Sequence, residues 1–430
     1  MHKSKAFTVV AAALGINLVI GVLYAWSIFK ESIVESINAG VVGGFDWKLS
    51  CVNDPYALCC LVFAFSMIPA GRVQDLYGPG KSALLGAISG GLGFLLIANS
   101  TNYWVWMIGF GGFVGMGIGF AYASTTPAAL RWFAHSKSGL ITGIVVSGFA
   151  LASTYIAPLA THLVLNSGLQ KTMLFFSCQF FVLVSIFSFL LVAPPENHIP
   201  IGFVERRNRD KNQARKVFTH LDEHIENPLS VIKEAKFWIL WVLLFIGAGA
   251  GLMVIGNIKP LAKQSMGSLA YYAIVILAVG DAVGRIFAGS LSNKFGRRNV
   301  LSVGFFLQMI LMFSAFAASV SGSAWLILIV ATFIGINYGA NLVLFPSYVK
   351  DFWGMRHFGL IYGLLFTAWG LGGFMMVKAS EALIHETGNV HASFNLAGWM
   401  IFTGFLITFA VDNRKELERL AIRKNQQHKF

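Results

Sequence analysis

An all-α membrane protein, with twelve transmembrane helices in two bundles of six, is the fold class this sequence predicts. Three observations predict it. First, the chain is 56% apolar and only 12% charged, with a mean hydropathy of +0.68, whereas a soluble domain is about a quarter charged. A chain of 430 residues with so few polar groups cannot cover the surface of soluble domains. Second, twelve runs are apolar over windows of about 19 residues, the length that crosses a hydrocarbon core of about 30 Å. Third, one long polar stretch divides those runs six and six. The 38 Phe and 45 Gly suit lipid-facing walls and close helix contacts.

The first bundle is expected over residues 1–193, with spans near 6–29, 54–71, 82–100, 104–126, 139–162 and 171–193. No small-residue cleavage site follows the first apolar run, so it is read as a retained helix. A polar linker follows over 194–235, carrying Arg206, Arg207, Arg209, Lys211, Arg215 and Lys216. The second bundle is expected over 236–413, with spans near 236–257, 269–291, 300–319, 323–346, 358–380 and 393–412, and a charged tail over 414–430. Pro69, Pro127, Pro158 and Pro346 are expected to kink or end their helices. The glycines at 111, 112, 115, 117 and 119 imitate a phosphate loop, but they lie inside an apolar helix and read as close helix packing.

Charge placement orients the spans. The N-terminus, the connections after even-numbered spans and the tail collect 25 of the 32 Lys and Arg on one side. Lys30, Lys48, Lys171, Lys259, Lys263 and Lys378 fall on the other, and Arg285 lies within a span. That asymmetry predicts both termini in the cytoplasm and a multi-pass location in the cell's inner (plasma) membrane. It also accounts for the net charge of +13 without a nucleic-acid partner. The basic linker is expected to lie on anionic membrane lipid, where each cation is worth about 1 kcal/mol.

Cys51, Cys59, Cys60 and Cys178 form no C-x-x-C pair, and the histidines show no metal-ligand spacing, so buried thiols are expected and neither metal nor cofactor. Nucleophiles and carboxylates do not cluster at a membrane face as a membrane enzyme requires, and no enzymatic activity is expected. Oligomeric state is not written in the helices, and a monomer fits.

An internal repeat ties the halves together. After the second span comes Gly71-Arg-Val-Gln-Asp75-Leu-Tyr-Gly78, and after the eighth comes Gly289-Ser-Leu-Ser-Asn293-Lys-Phe-Gly296-Arg297, 218 residues later. The glycines permit a tight turn, and the polar residue can cap or pair with neighbouring helix ends. The pair resembles the loop motif of the major facilitator superfamily, in which two six-helix bundles expose a midplane site alternately to each side. The resemblance implies gating roles for Gly71, Asp75, Gly78, Gly289, Asn293, Gly296 and Arg297. Asn293 stands where the family usually has Asp, and Leu76 where it has a cation, which predicts weakened gating contacts.

Longer stretches narrow the match. Gly21-Val-Leu-Tyr24-Ala-Trp26-Ser-Ile-Phe29, the glycine run ending at Tyr122, Gly284-Arg285-Ile-Phe-Ala-Gly289 and Leu344-Phe-Pro-Ser347 resemble segments of oxalate/formate antiporters and related bacterial monocarboxylate transporters.

Asp281 and Arg285 are ionisable groups well inside a span, four residues apart, so they share a helix face and can pair. One reading is a structural pair that locks helices. The other makes Arg285 the anion site, its guanidinium matching a carboxylate at two points. Asp281, losing its counter-ion to the substrate, then takes a proton. That chemistry predicts symport of one monocarboxylate anion with a proton, and the resemblance implies a small, lactate- or pyruvate-like acid carried by alternating access. Exchange of the oxalate/formate type is the alternative. The resemblance favours the first, because monocarboxylate transporters carry D-x-x-x-R in the eighth span. Leu365 falls where the antiporters have a second cation, and Ile28 near the place where animal monocarboxylate transporters have a Lys.

Tyr24, Tyr122, Tyr338 and Tyr362 lie in spans that line the cavity in this superfamily and read either as packing or as substrate donors. Asn257 and Asn341 read either as substrate-binding amides or as helix-helix contacts. Phe149, where the antiporters tend to have Tyr, suggests a less polar cavity.

Overall fold

The structure of the protein, a computed structural model, describes residues 2–40, 43–134, 137–195, 198, 200–201, 227–266, 271–320, 323–388 and 390–411. The linker's arginines and lysines at 206–216, the tail over 414–430 and the side chain of Asn257 lie outside the described residues.

Each predicted span falls on a helix. The first runs as His2–Ile20, a 3-10 turn Gly21–Ala25 and Trp26–Ala39. The second and third are Asp54–Tyr77 and Pro79–Ala98. The fourth begins at Tyr103–Trp106, passes through a π segment Met107–Val114 and continues as Gly115–Leu130. Ser138–Leu190 holds the fifth and sixth together, broken at Gly168, whose φ of 79° and ψ of 165° leave the helical region. Spans seven to twelve are Ala235–Met266, Tyr271–Phe295, Arg297–Val320, Ala324–Trp353, Phe358–Thr387 and Val390–Thr408.

The first span therefore runs ten residues past the expected end, and the expected loop between spans five and six shrinks to a break at one glycine. Glycine bears the left-handed φ there without a Cβ penalty. Pro69, Pro127, Pro158 and Pro346 all lie inside helices. Among the described residues the only extended pairing is a single bridge, Phe133 with Ile201, which holds the start of the linker against the connection between spans four and five.

Glycines set the helix-helix distances. In the second half, a Cβ on Gly335 or Gly339 of the tenth span would lie 2.1 Å from the Leu277 carbonyl oxygen or 2.0 Å from that of Asp281 in the eighth. The first half repeats this with Gly115 and Gly119 of the fourth span against the carbonyl oxygens of Cys59 and Phe63 in the second, at 2.8 and 2.7 Å. The two halves meet through the same device. Gly71 abuts Gly359 where the second span meets the eleventh, and Gly289 abuts Gly139 where the eighth meets the fifth.

At the face carrying the linker these contacts become polar, through the repeat motif. The Asp75 carboxylate accepts the backbone N–H groups of Gly359 and Leu360, at 3.2 and 3.1 Å, in the first turn of the eleventh span. It thereby caps a helix of the other half. Asn293 does the same in reverse, its Oδ1 accepting the Gly139 N–H at the start of the fifth span at 3.4 Å. Arg297 pairs with Asp351 and donates to the Ser138 hydroxyl at 3.2 Å. The Asn293 contact thus persists without a formal charge, because a helix N-terminus needs only an acceptor oxygen. Asp75→Ala removes two cap bonds and is expected to raise the labelling rate of a thiol introduced by Thr142→Cys, a buried site on the fifth span, by about fivefold.

Candidate functional site

The site is built around the eighth span. Gly280, Gly284 and Gly289 bring that helix against spans ten and five, and Asp281 and Arg285 lie between them, 0% and 1% exposed. The pair that the spacing allows forms, and it is made at two points. Arg285 donates from Nε to Asp281 Oδ1 at 2.6 Å and from Nη2 to Oδ2 at 2.8 Å. Its Nη1 reaches across to the other half and donates to the Val146 carbonyl oxygen of the fifth span at 2.8 Å. Tyr24, on the 3-10 turn of the first span, donates its hydroxyl to Asp281 Oδ2 at 3.4 Å. Gly21 of the same turn packs on Ala152 and the Phe149 carbonyl of the fifth span. Two hydrogen bonds at the pair, Tyr24 to Asp281 and Arg285 to Val146, therefore bridge the halves.

Aromatic rings surround the pair. Phe149 meets Tyr24 at 5.7 Å and Tyr122 at 5.6 Å, both edge-on. Tyr122 meets Phe366 at 5.4 Å, which stacks on Trp369 at 5.2 Å and meets Tyr362 at 5.6 Å. Trp369 donates its indole N–H to the Tyr338 hydroxyl at 3.1 Å. Tyr24, Tyr122, Phe149, Tyr338 and Tyr362 thus belong to one aromatic network, which meets the charged pair at Tyr24. Leu365, an apolar side chain rather than a second cation, is fully buried.

Asn341 is arranged differently. Its amide lies beside Gly304 of the ninth span and Gly247 of the seventh, whereas Gly335 and Gly339 of the same helix turn toward Asp281. It has no hydrogen-bond partner, nor has the amide of Gln308, one turn beyond Gly304. An unpaired buried amide costs about 1–3 kcal/mol. Gln308→Leu is therefore expected to raise the melting temperature of the purified protein by a few degrees and leave transport intact, as thermal unfolding and uptake assays would show.

Phe63, Phe366 and Trp369 were not anticipated as site residues. Among 38 Phe and 11 Trp no single ring stands out. The repeat does carry a signal, because Phe63 precedes Asp281 by the same 218 residues that separate Gly71 from Gly289.

The Major Facilitator Superfamily family model matches residues 6–377. The uncharacterized MFS-type transporter YhjX of Escherichia coli (strain K12) is 26% identical, over 82% of each chain. The oxalate:formate antiporter of Oxalobacter formigenes is 23% identical over 94% of this chain and 88% of its own length. The solved structure of the proton:xylose symporter XylE superimposes with a TM-score of 0.76, covering 96% of this chain and 97% of that one, at 16% identity.

Proposed function

Since this chain belongs to the major facilitator superfamily and is a membrane transporter of that fold, we propose that it carries small monocarboxylate anions, lactate- or pyruvate-like, together with a proton. The observation that carries this assignment is the buried Asp281–Arg285 pair, bonded to the opposite half through Tyr24 and Val146.

In the unloaded carrier Asp281 is ionised and neutralised by Arg285. An incoming carboxylate competes for the Nε and Nη2 donors that Asp281 occupies, and for the Nη1 donor held by Val146. A carboxylate left without its counter-ion in an apolar interior costs several kcal/mol, so Asp281 takes a proton as the substrate takes Arg285. The loaded site then holds one guanidinium, one anion and a neutral acid. Its net charge matches that of a neutral hydroxyl-lined cavity plus one ion pair, as before loading. Substrate binding also releases the Arg285–Val146 bond between the halves, which links occupancy to their rocking.

The same proposal places 1–193 and 236–413 as the two moving bundles, with 194–235 as a cytoplasmic linker and 414–430 as a cytoplasmic tail in the inner membrane. Aromatic rings and the single cation of the described site favour one carboxylate over two. A second mode, exchange of anions, is favoured by similarity to a protein named as an oxalate:formate antiporter.

The test is uptake of labelled L-lactate into proteoliposomes under an inward proton gradient. Wild type is expected to accumulate lactate. Asp281→Asn is expected to lose gradient-driven accumulation while retaining exchange of labelled for unlabelled acid. Wild-type exchange that ignores the proton gradient would move the assignment to antiport.

A further inference from the structure

The repeat aligns the walls of the site residue by residue. With the 218-residue spacing of Gly71 to Gly289 and Asp75 to Asn293, Phe63 is the counterpart of Asp281 and Met67 the counterpart of Arg285. Packing bears out the equivalence. Gly119 abuts the Phe63 carbonyl as Gly339 abuts that of Asp281. Gly363 abuts the Met67 carbonyl at 2.4 Å as Gly143 abuts that of Arg285 at 2.4 Å. Phe63 and Asp281 therefore occupy equivalent depths on equivalent helices of the two halves, and one half is charged where the other is apolar.

Phe63 is also where the rings of both halves meet. It is 1% exposed. Its centroid lies 5.5 Å from Tyr122 and 6.1 Å from Phe149 in its own half, and 5.3 Å from Phe366 and 5.2 Å from Trp369 in the other. Met67, one turn away, is fully buried.

Building on the monocarboxylate assignment, we propose that Phe63 is the specificity-determining residue that ends the site, limiting its substrates to acids with short apolar tails. The carboxylate is held in the second half by Arg285. The tail points past Tyr122 toward the first half, where Phe63 and Met67 present a ring and a thioether at the positions a second charge pair would occupy. A second carboxylate on the substrate would be desolvated there without a partner, which excludes dicarboxylates. Each extra methylene has to displace the Phe63 ring from four neighbouring rings, which excludes long tails.

Binding of straight-chain acids from acetate to hexanoate to the purified protein, read from the thermal shift each produces, tests this without interference from passive permeation. Wild type is expected to bind propionate more tightly than hexanoate. In Phe63→Ala the ratio of the two affinities is expected to move toward hexanoate by about tenfold or more, with Phe63→Leu between. Phe63→Leu keeps the test decisive if the alanine variant does not fold. An unchanged ratio in variants that still bind propionate would overturn the length limit while leaving the monocarboxylate assignment standing. Failure of wild type to bind any of the acids would overturn the assignment, and the length limit with it.

Discussion

Arg285→Lys is expected to lower lactate transport about 100-fold or more, although it preserves the charge. The guanidinium makes three bonds in three directions, two to the separate oxygens of Asp281 and one to the Val146 carbonyl. An ammonium is a point donor on a shorter reach and cannot span both the carboxylate and the fifth span. It also lacks the planar fork that receives a substrate carboxylate at two points. Arg285→Ala goes further and leaves Asp281 buried with only the Tyr24 hydroxyl. Removing one partner of a buried pair costs about 3–5 kcal/mol. Protonating Asp281 relieves part of that cost, so the alanine variant is expected to fold and insert. The double variant Asp281→Asn/Arg285→Ala is expected to be at least as heat-stable as Arg285→Ala alone. Initial uptake rates and detergent-solubilised melting curves together check both statements.

Gly339→Ala has the second largest expected effect, through a change of one methyl group. Its Cβ would lie 2.0 Å from the Asp281 carbonyl oxygen and 2.6 Å from Asp281 Oδ1; the first is fixed by the backbone of the eighth helix, and the second is a side-chain oxygen held by its bond from Arg285 Nε. The eighth and tenth spans have to separate at the level of the charged pair, and overpacking of this kind costs about 1–3 kcal/mol. The pair moves with its helix, so Arg285 loses register with Val146 and Asp281 with Tyr24. Transport is expected to fall about tenfold or more. Gly304→Ala, on the ninth span, is the contrasting case. Its Cβ would meet only side-chain ends, the Asn341 amide at 3.2 Å and that of Asn337 at 4.0 Å, and is expected to leave uptake near the wild-type level.

The helices were legible because twenty-residue apolar runs have few alternatives in a chain with so little charge. The pairing of the halves was legible because a glycine and polar pattern recurs at a fixed spacing. Asp281 and Arg285 were legible for a related reason: two charges inside an apolar run are costly unless they meet, and a four-residue spacing lets them. The remaining features depend on which way a side chain turns in an interior that is apolar on every side. Asn341 and Tyr338 are three residues apart on one helix, yet one adjoins Gly247 and Gly304 while the other takes a bond from Trp369. Hydropathy cannot separate those directions. The partner of Arg285 in the other half is a backbone carbonyl, which no residue type announces. Gly168 ends one helix and starts another at a single residue, so the polar Asn166, Ser167, Gln170 and Lys171 that mark the break lie on helix rather than in a loop, and span boundaries drawn from hydropathy missed the long final turns of the first and seventh spans. Phe63 was hidden by the abundance of phenylalanine, although the repeat spacing that aligned Asp75 with Asn293 also aligned Phe63 with Asp281.

Proton movement itself tests the coupling most directly. Proteoliposomes loaded with a pH-sensitive dye and given L-lactate with no imposed proton gradient, in the presence of an agent that clamps the membrane potential, are expected to acidify as lactate enters. One proton should accompany each lactate in wild type, and Asp281→Asn should remove that acidification without abolishing lactate exchange. Lactate entry in wild type with no change in luminal pH beyond that of protein-free vesicles would contradict the proposed exchange of Arg285 between Asp281 and the substrate carboxylate.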